Sequence, residues 1–126
     1  MILFSKCLIG FVALQHIGFL VLEMFLWTHP VGMKVFRQTA ANAEITKVLA
    51  ANQGLYNGFL AAGLIWALTH PDAMMGRQIA YFFLGCVIVA GAYGAWSVSP
   101  RILLVQAGPA LVALVLLGFS SAGGNS

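Results

Sequence analysis

Long apolar stretches separated by short polar segments make up most of this chain. Four of the stretches are similar in length and almost free of charge: Leu8–Trp27, Val48–Leu68, Ile79–Trp96 and Ile102–Phe119. Each approaches the roughly 20 residues that a helix needs to cross a bilayer. The pattern predicts four transmembrane helices, within about 7–28, 47–69, 77–97 and 101–120.

Composition favours a membrane protein over a soluble one. Hydrophobic residues make up 61% of the 126 residues and charged residues only 7%, whereas a soluble domain carries roughly 25% charged residues. So few charges cannot cover a water-facing surface, which argues against a soluble helical core. We predict an all-α integral membrane four-helix bundle, with a single domain at 1–120 and a disordered polar tail at 121–126.

The segment between the first two predicted spans, Met33–Lys47, is the only long polar connection. Apolar side chains recur in it at helical spacing, while Lys34, Arg37 and Glu44 fall on other faces. This arrangement is typical of an amphipathic helix lying at the membrane interface. We expect a short interfacial helix between spans one and two.

The first two spans both end in the same tripeptide, Thr28-His29-Pro30 and Thr69-His70-Pro71. Proline cannot continue a helix and restricts the residue before it, so each tripeptide is a helix stop. Consecutive spans run in opposite directions, which places the two histidines on opposite membrane faces and prevents them from sharing a metal. No metal site is predicted.

Basic residues are distributed unevenly between the two sides of the predicted bundle. The loops after spans one and three carry four, and the other side carries two: Lys34, Arg37, Lys47 and Arg101 against Lys6 and Arg77. The positive-inside rule then predicts that both termini lie outside the cytoplasm. The chain has no basic patch with interleaved aromatic residues, so nucleic acid is not an expected partner.

Glu23 is an acidic residue inside a predicted span, and depth arithmetic identifies its neighbours. A charged glutamate near the centre of a transmembrane helix costs roughly 2.5–3.5 kcal/mol, so such side chains usually face other helices. At a rise of about 1.5 Å per residue, Glu23 lies ~7.5 Å from the midplane. The other spans place Gln53, Tyr93 and Gln106 at about the same depth.

A polar block, Asn52–Gly63 (NQGLYNGFLAAG), opens the second span. On a helix, Gln53 and Asn57 share one face, and Asn52 and Tyr56 share another. Small residues in the same block form a third stripe, where a second helix can approach closely. The block therefore predicts both a packing surface and a row of hydrogen-bonding groups.

These polar side chains allow a structural and a functional interpretation. In the structural one, a protonated Glu23 joins helices by hydrogen bonds to Gln53 or Tyr93. In the functional one, the bundle holds a pocket for a small lipophilic ligand, because intramembrane ionisable residues mark functional sites by default. The predicted ligand-binding residues are His16, Asn52, Gln53, Tyr56, Asn57 and Gln106.

Whether the predicted pocket carries out chemistry is left open. In an isomerase- or transferase-like membrane enzyme, Glu23 would be the catalytic proton carrier and Tyr93 the acid or oxyanion partner. One alternative is proton-coupled export of lipophilic cations through Glu23. The other is a structural or interaction role without chemistry.

Several of these residues together resemble a known family. His16, Glu23 and Trp27 in span one, Phe36 in the interfacial segment and the block Asn52–Gly63 look like the domain of unknown function 1304 family. Its members are small four-span bacterial membrane proteins. The resemblance covers nearly the whole chain and implies a multi-pass protein of the bacterial inner membrane.

Looser likenesses bear on function. Leu55–Gly58 with Tyr93 is similar to the Asn and Tyr placement of styrene oxide isomerase, a trimeric four-span haem protein. Ala51 stands where that enzyme has its haem-ligating histidine, so haem is not implied by motif and the cofactor is unknown. A lone glutamate in the first of four spans is similar to small multidrug-resistance transporters. The trimeric likeness and the glycine stripes of spans two and three predict a homo-oligomer, a dimer or trimer, in the lipid bilayer.

Overall fold

The regular secondary structure of the described residues is helical throughout. The computed structural model describes residues 1–123, without the side chains of 103 and 120–123. Its elements in chain order are α1 (Leu3–Met24), α2 (Pro30–Phe36), α3 (Ala40–Thr69), α4 (Ala73–Ser97), α5 (Pro100–Ile102), a π-helical segment (Leu103–Ala107) and α6 (Gly108–Gly123). The prediction of an all-α fold is confirmed. Residues 124–126 of the predicted tail lie outside the described residues.

Three helical stretches are long and apolar enough to cross a membrane. They are Leu3–Met24, Ala73–Ser97 and Pro100–Phe119, of 22, 25 and 20 residues. In each, no more than 28% of the most apolar window is buried inside the chain. Apolar side chains that the chain itself does not cover need a non-aqueous surrounding. These helices therefore identify a membrane protein.

The second predicted span lies in a helix of different character. α3 has 30 residues, more than the roughly 20 that cross a bilayer. It is nevertheless not among the helices apolar enough to span by composition, because Asn52, Gln53 and Asn57 lower its mean hydropathy. The polar block is thus the feature that separates α3 from the other long helices.

Within Met33–Lys47 an at least partly helical, interfacial Met33–Ala43 is predicted; the observed helix, α2, begins earlier, at Pro30, and is shorter. α2 ends at Phe36, because Arg37 takes a left-handed conformation with φ 54° and ψ 46°. The Thr39 side chain then accepts a hydrogen bond from the Asn42 N–H at 3.2 Å, an N-terminal cap. From Ala40 onward the predicted interfacial residues belong to α3 itself.

A tight turn connects α1 to α2. α1 ends at Met24, before the Thr-His-Pro sequence that was predicted to stop it. His29 instead starts α2, since its Nδ1 accepts a hydrogen bond from the Val31 N–H at 3.2 Å. A Cβ on Gly32 would stand 1.9 Å from the Leu26 carbonyl oxygen. Only glycine fits so close to that backbone.

The chain divides into two compact units, and the boundaries between them fall within α1 and α3. The first comprises Met1–Ala13 and the chain from Ala62 onward, and the second comprises Leu14–Ala61. The predicted single domain, 1–120, stays a prediction.

Within the first unit, α4 packs closely on the segment that follows it. A Cβ on Gly91 would lie 2.6 Å from the Ala107 Cβ, and one on Gly94 would lie 2.8 Å from the Ile102 Cγ2. The sequence did not predict that Leu103–Ala107 is π-helical; such segments occur as single-turn insertions in longer helices. The glycine stripe of α4 is used for contacts inside the chain, so it does not argue for an oligomer.

Candidate functional site

Glu23 and Asn57 form a buried polar pair inside the second unit. The Asn57 Nδ2 donates a hydrogen bond to the Glu23 Oε1 at 2.6 Å. The two residues are 4% and 8% exposed. A buried carboxyl needs such a donor, because leaving it unpaired costs about 1–3 kcal/mol or more. The structure thus joins the acidic residue of α1 to one amide of the polar block of α3.

Glycines in α3 allow the two helices to approach closely enough for this bond. A Cβ on Gly54 would lie 2.8 Å from the Met24 Cγ and 3.0 Å from the Glu23 Cβ, and one on Gly58 would lie 2.6 Å from the Leu20 Cδ1. Small residues at such spacing are typical of close helix contacts in membranes. This stripe, like that of α4, is used inside the chain.

His16 lies on the same face of α1, seven residues before Glu23. Its side chain is fully buried, and its ring meets the Phe19 ring edge to face with centroids 5.4 Å apart. Among the described residues, no group of three or more His, Cys, Asp or Glu side chains is placed to hold a metal ion. His16 is therefore a buried polar member of the second unit rather than part of a described ligand cluster.

An open groove lies in the second unit, which also holds the polar pair. Its volume is about 180 Å³, and its lining comprises Trp27, Gln38, Thr46, Leu49, Ala50 and Gln53. Gln53 is four residues before Asn57, which is about 6 Å along α3. The groove thus presents two amides, a hydroxyl and an indole ring, and one of these amides, Gln53, lies about one helical turn from Asn57.

Trp27 is held in place at the wall of this groove. Its Nε1 donates a hydrogen bond to the Thr46 Oγ1 at 3.1 Å. The Thr46 hydroxyl in turn donates to the Asn42 carbonyl at 2.7 Å. The indole also packs on the Phe36 ring, with centroids 5.0 Å apart. A fixed aromatic ring of this kind offers a rigid apolar surface to a ligand.

Other predicted site residues are not part of this arrangement. Asn52 and Tyr56 lie on α3 with exposed side chains. Tyr93 belongs to the first unit, is 67% exposed and packs on Trp96. Gln106 also belongs to the first unit, is half-buried and lies in the π-helical segment. Their predicted roles stay predictions.

Of the six residues that line the groove, the sequence predicted only Gln53 as a site residue. The polar and aromatic members that it did not predict are Trp27, Gln38 and Thr46. Thr46 has the right spacing to face the groove, because it lies seven residues before Gln53 and so on the same side of α3. Gln38 gave no such signal, since its position depends on the turn at Arg37.

The arrangement is suited to binding neutral molecules that are mostly apolar. Amide and hydroxyl groups both donate and accept hydrogen bonds, and the groove lining holds no basic or acidic residue. Leu49, Ala50 and the indole supply the apolar surface. Pockets for small ligands commonly combine an apolar lining with a few polar groups.

The fold and the site define a class of protein: an all-helical membrane protein with a glutamate–asparagine pair buried between two helices. The chain belongs to the family described as "Protein of unknown function (DUF1304)", which matches residues 10–118. It is also similar to "Uncharacterized protein YpaA" of Lactococcus lactis subsp. lactis (strain IL1403), with 32% identity over 106 residues that cover 82% of this chain and 87% of the relative. No solved structure gives a significant match.

Proposed function

We propose that this protein binds a small lipophilic ligand in the second unit. The observation that carries the proposal is the buried Glu23–Asn57 pair together with a groove lined by amides and an indole, whose Gln53 lies about one helical turn from Asn57. The apolar body of the ligand lies along Trp27 and Leu49. A hydroxyl or carbonyl group of the ligand binds the Gln53 amide and is oriented toward Asn57.

Chemistry at this site would begin with the Glu23 carboxyl. A carboxyl hydrogen-bonded to an amide in a water-poor site can pass a proton to and from a bound ligand. This is the step that an isomerase- or transferase-like reaction needs. In this proposal Asn57 orients the carboxyl.

Co-purified ligand provides the test. Wild type, Gln53→Leu and Asn52→Leu are purified in the same detergent, and bound small molecules are extracted and identified by mass spectrometry. We expect wild type and Asn52→Leu to carry the same lipophilic compound and Gln53→Leu to have lost most of it. Gln53 and Asn52 are both exposed on α3, so neither change disturbs the core. Equal recovery from all three proteins would contradict the proposal.

The groove itself can report on binding. With Trp66→Phe and Trp96→Phe, Trp27 is the only tryptophan of the chain. Adding the extracted compound back should change Trp27 fluorescence in a saturable way, and Gln53→Leu should weaken the response. A response that grows linearly with concentration, without saturation, would show partition into the detergent instead of binding.

A competing proposal is proton-coupled export of lipophilic cations. It is favoured by one observation: Glu23 is a buried acidic residue in an apolar helix, and an acidic side chain can bind a cation and a proton in turn. For either function we propose a homo-oligomer in the bacterial inner membrane, with both termini outside the cytoplasm.

A further inference from the structure

A second cavity lies in the first unit, and none of its lining residues belongs to the candidate site. Its volume is about 220 Å³, and its lining comprises Met1, Lys6, Ala67, Leu68, His70, Pro71, Ala73 and Gly76. We call it the basic cavity. It is formed where α1 begins, α3 ends and α4 begins. Since α1 and α4 are long and apolar enough to cross a membrane, their ends are where lipid headgroups lie.

Lys6 brings a positive charge to this cavity. Among residues 1–123, the Lys6 ammonium group makes no ion pair and no hydrogen bond. The ion pair in this part of the chain joins Lys47 to Glu44. The nearby carboxylate, Asp72, accepts hydrogen bonds from the Met74 and Met75 N–H groups. It therefore caps α4 rather than pairing with Lys6.

Two residues that neighbour lining residues in the sequence each carry a buried polar atom without a hydrogen-bond partner among the described residues. These atoms are the Ser5 Oγ and the Arg77 Nε. Ser5 precedes Lys6 in the chain, and Arg77 follows Gly76, so each adjoins a residue of the lining. Buried polar atoms in proteins nearly always have a partner, and an additional bound group is one way in which such an atom is satisfied.

His70 adds a further donor. The His70 Nδ1 lies 3.0 Å from the Asp72 backbone nitrogen and 3.2 Å from the Asp72 carbonyl oxygen. Because the N–H can only donate and its contact is the shorter one, Nδ1 is assigned as the acceptor. The proton of a neutral imidazole is then on Nε2. The lining thus supplies a cation and a ring N–H, together with the apolar side chains of Ala67, Leu68 and Pro71.

We propose that the basic cavity binds a phosphate group, as carried by an anionic membrane lipid or by free phosphate. Lys6 pairs with the phosphate, the His70 N–H donates to it, and the adjoining Arg77 adds positive charge. Phosphate oxygens are strong acceptors for such donors. Where the phosphate belongs to a lipid, its apolar part follows the Leu68 side of the lining. Phosphate groups of lipids lie at this depth, because the cavity is formed at the ends of helices that are long enough to cross a membrane.

Native mass spectrometry of the purified protein with added lipid tests the proposal. Phosphatidylglycerol and phosphatidylcholine are offered in turn to wild type, Lys6→Gln, Lys6→Arg and Lys34→Gln. We expect wild type to retain phosphatidylglycerol in preference to phosphatidylcholine. Lys6→Gln should reduce that retention about fivefold, the factor that corresponds to one basic residue at an anionic lipid surface. Lys6→Arg should preserve it.

Lys34 is the matched control, because it is an exposed lysine of α2 outside the cavity lining. Lys34→Gln should leave lipid retention within about twofold of wild type, since it removes an equal charge elsewhere. Equal retention of the two lipids, or equal losses in Lys6→Gln and Lys34→Gln, would overturn the proposal.

Inorganic phosphate distinguishes the two sources of the ligand. If free phosphate displaces phosphatidylglycerol and binds on its own, the cavity is a site for the free anion. If lipid stays bound while phosphate is raised, the headgroup is held together with its apolar part. Circular dichroism of every variant confirms that helix content is unchanged, so that a loss of binding is not a loss of folding.

Discussion

The hydrogen bond between Asn57 and Glu23 explains how α1 accommodates an acidic side chain. The Asn57 amide supplies the donor that water would otherwise provide, and it does so from a neighbouring helix. Polar side chains inside membranes join helices in this way, though each bond contributes only about 1 kcal/mol. The larger effect is the penalty that follows when one partner is removed and the other stays buried.

At this scale, Asn57→Ala should lower the free energy of unfolding by about 1–3 kcal/mol, because it leaves the Glu23 carboxyl buried without its donor. Glu23→Gln should preserve most of the stability, since a glutamine oxygen accepts the same bond. Unfolding by sodium dodecyl sulfate in mixed micelles, followed by circular dichroism, measures both. Asn52→Ala is the control, because its side chain is exposed on the same helix. Equal losses in Asn52→Ala and Asn57→Ala would show that the pair has no special role.

The sequence predicted that a polar side chain of another helix bonds to Glu23, but it did not single out Asn57 as that partner. Depth arithmetic placed Gln53 level with Glu23, yet Asn57, one turn further along α3, makes the bond. The arithmetic assumed where each helix crosses the midplane, and an error of about one turn, 5.4 Å, is enough to exchange the two amides. Helix rotation and offset depend on packing at Gly54, which no count of residues reveals.

Among the helices, α3 is the one on which both the structural and the functional interpretation of the buried polar side chains depend. It is longer than a span requires, because the residues predicted to form an interfacial helix continue directly into it. The left-handed conformation of Arg37 ends α2, so the residues from Ala40 onward belong to α3. A non-glycine residue in the left-handed conformation is uncommon and has no clear sequence signal. By contrast, the long apolar stretches predicted α1 and α4 well, since length and hydropathy act over many residues at once.

Close packing of α3 on α1 predicts opposite effects for two glycine substitutions. Gly54→Ala should destabilise the protein by up to about 2 kcal/mol, because overpacking costs about 1–3 kcal/mol against a helix-propensity gain of about 1 kcal/mol. Its Cβ would meet the Met24 and Glu23 side chains and the Leu20 carbonyl. Gly18→Ala should be neutral or stabilising by up to about 1 kcal/mol, since nothing lies within 4 Å of its added Cβ.

The same unfolding titration measures both glycine variants. Far-UV circular dichroism of the folded proteins should show no change in helix content. Two variants of equal stability would indicate that α1 and α3 can separate at Gly54 without cost, and the Asn57 hydrogen bond would then have to tolerate a longer distance.

For the whole molecule, membrane location could be predicted from the sequence, whereas orientation in the membrane rests on a few residues. Three helices are apolar enough to enter a membrane by composition, and α3 carries the polar block. Membrane location follows from hydropathy averaged over many residues, so it could be predicted directly from the sequence. Orientation depends on six basic residues, so a difference of four against two is a small signal.

Topology is tested by cysteine accessibility. In a protein carrying Cys7→Ser and Cys86→Ala, Ser126→Cys should react with a membrane-impermeant maleimide added from outside the cytoplasm. Ser99→Cys, in the loop after α4, should react only after the membrane is opened, because this loop carries the cytoplasmic basic residue Arg101. The reverse pattern would invert the orientation and leave the proposed ligand site unchanged.

Export of lipophilic cations is the main alternative to ligand binding, and it is tested by measuring the resistance of whole cells. An exporter driven through Glu23 must protect cells against some lipophilic cation, and it must lose that protection in Glu23→Gln, which keeps the hydrogen bond but cannot exchange a proton. If the protein binds a neutral lipophilic ligand instead, cells that express wild type and Glu23→Gln at equal levels should have equal inhibitory concentrations for ethidium, tetraphenylphosphonium and methyl viologen. Asn52→Ala, expressed alongside, controls for the burden of a membrane protein. Glu23-dependent resistance to any of these cations would favour export, and the groove of the second unit would then be part of a transport path rather than a binding site.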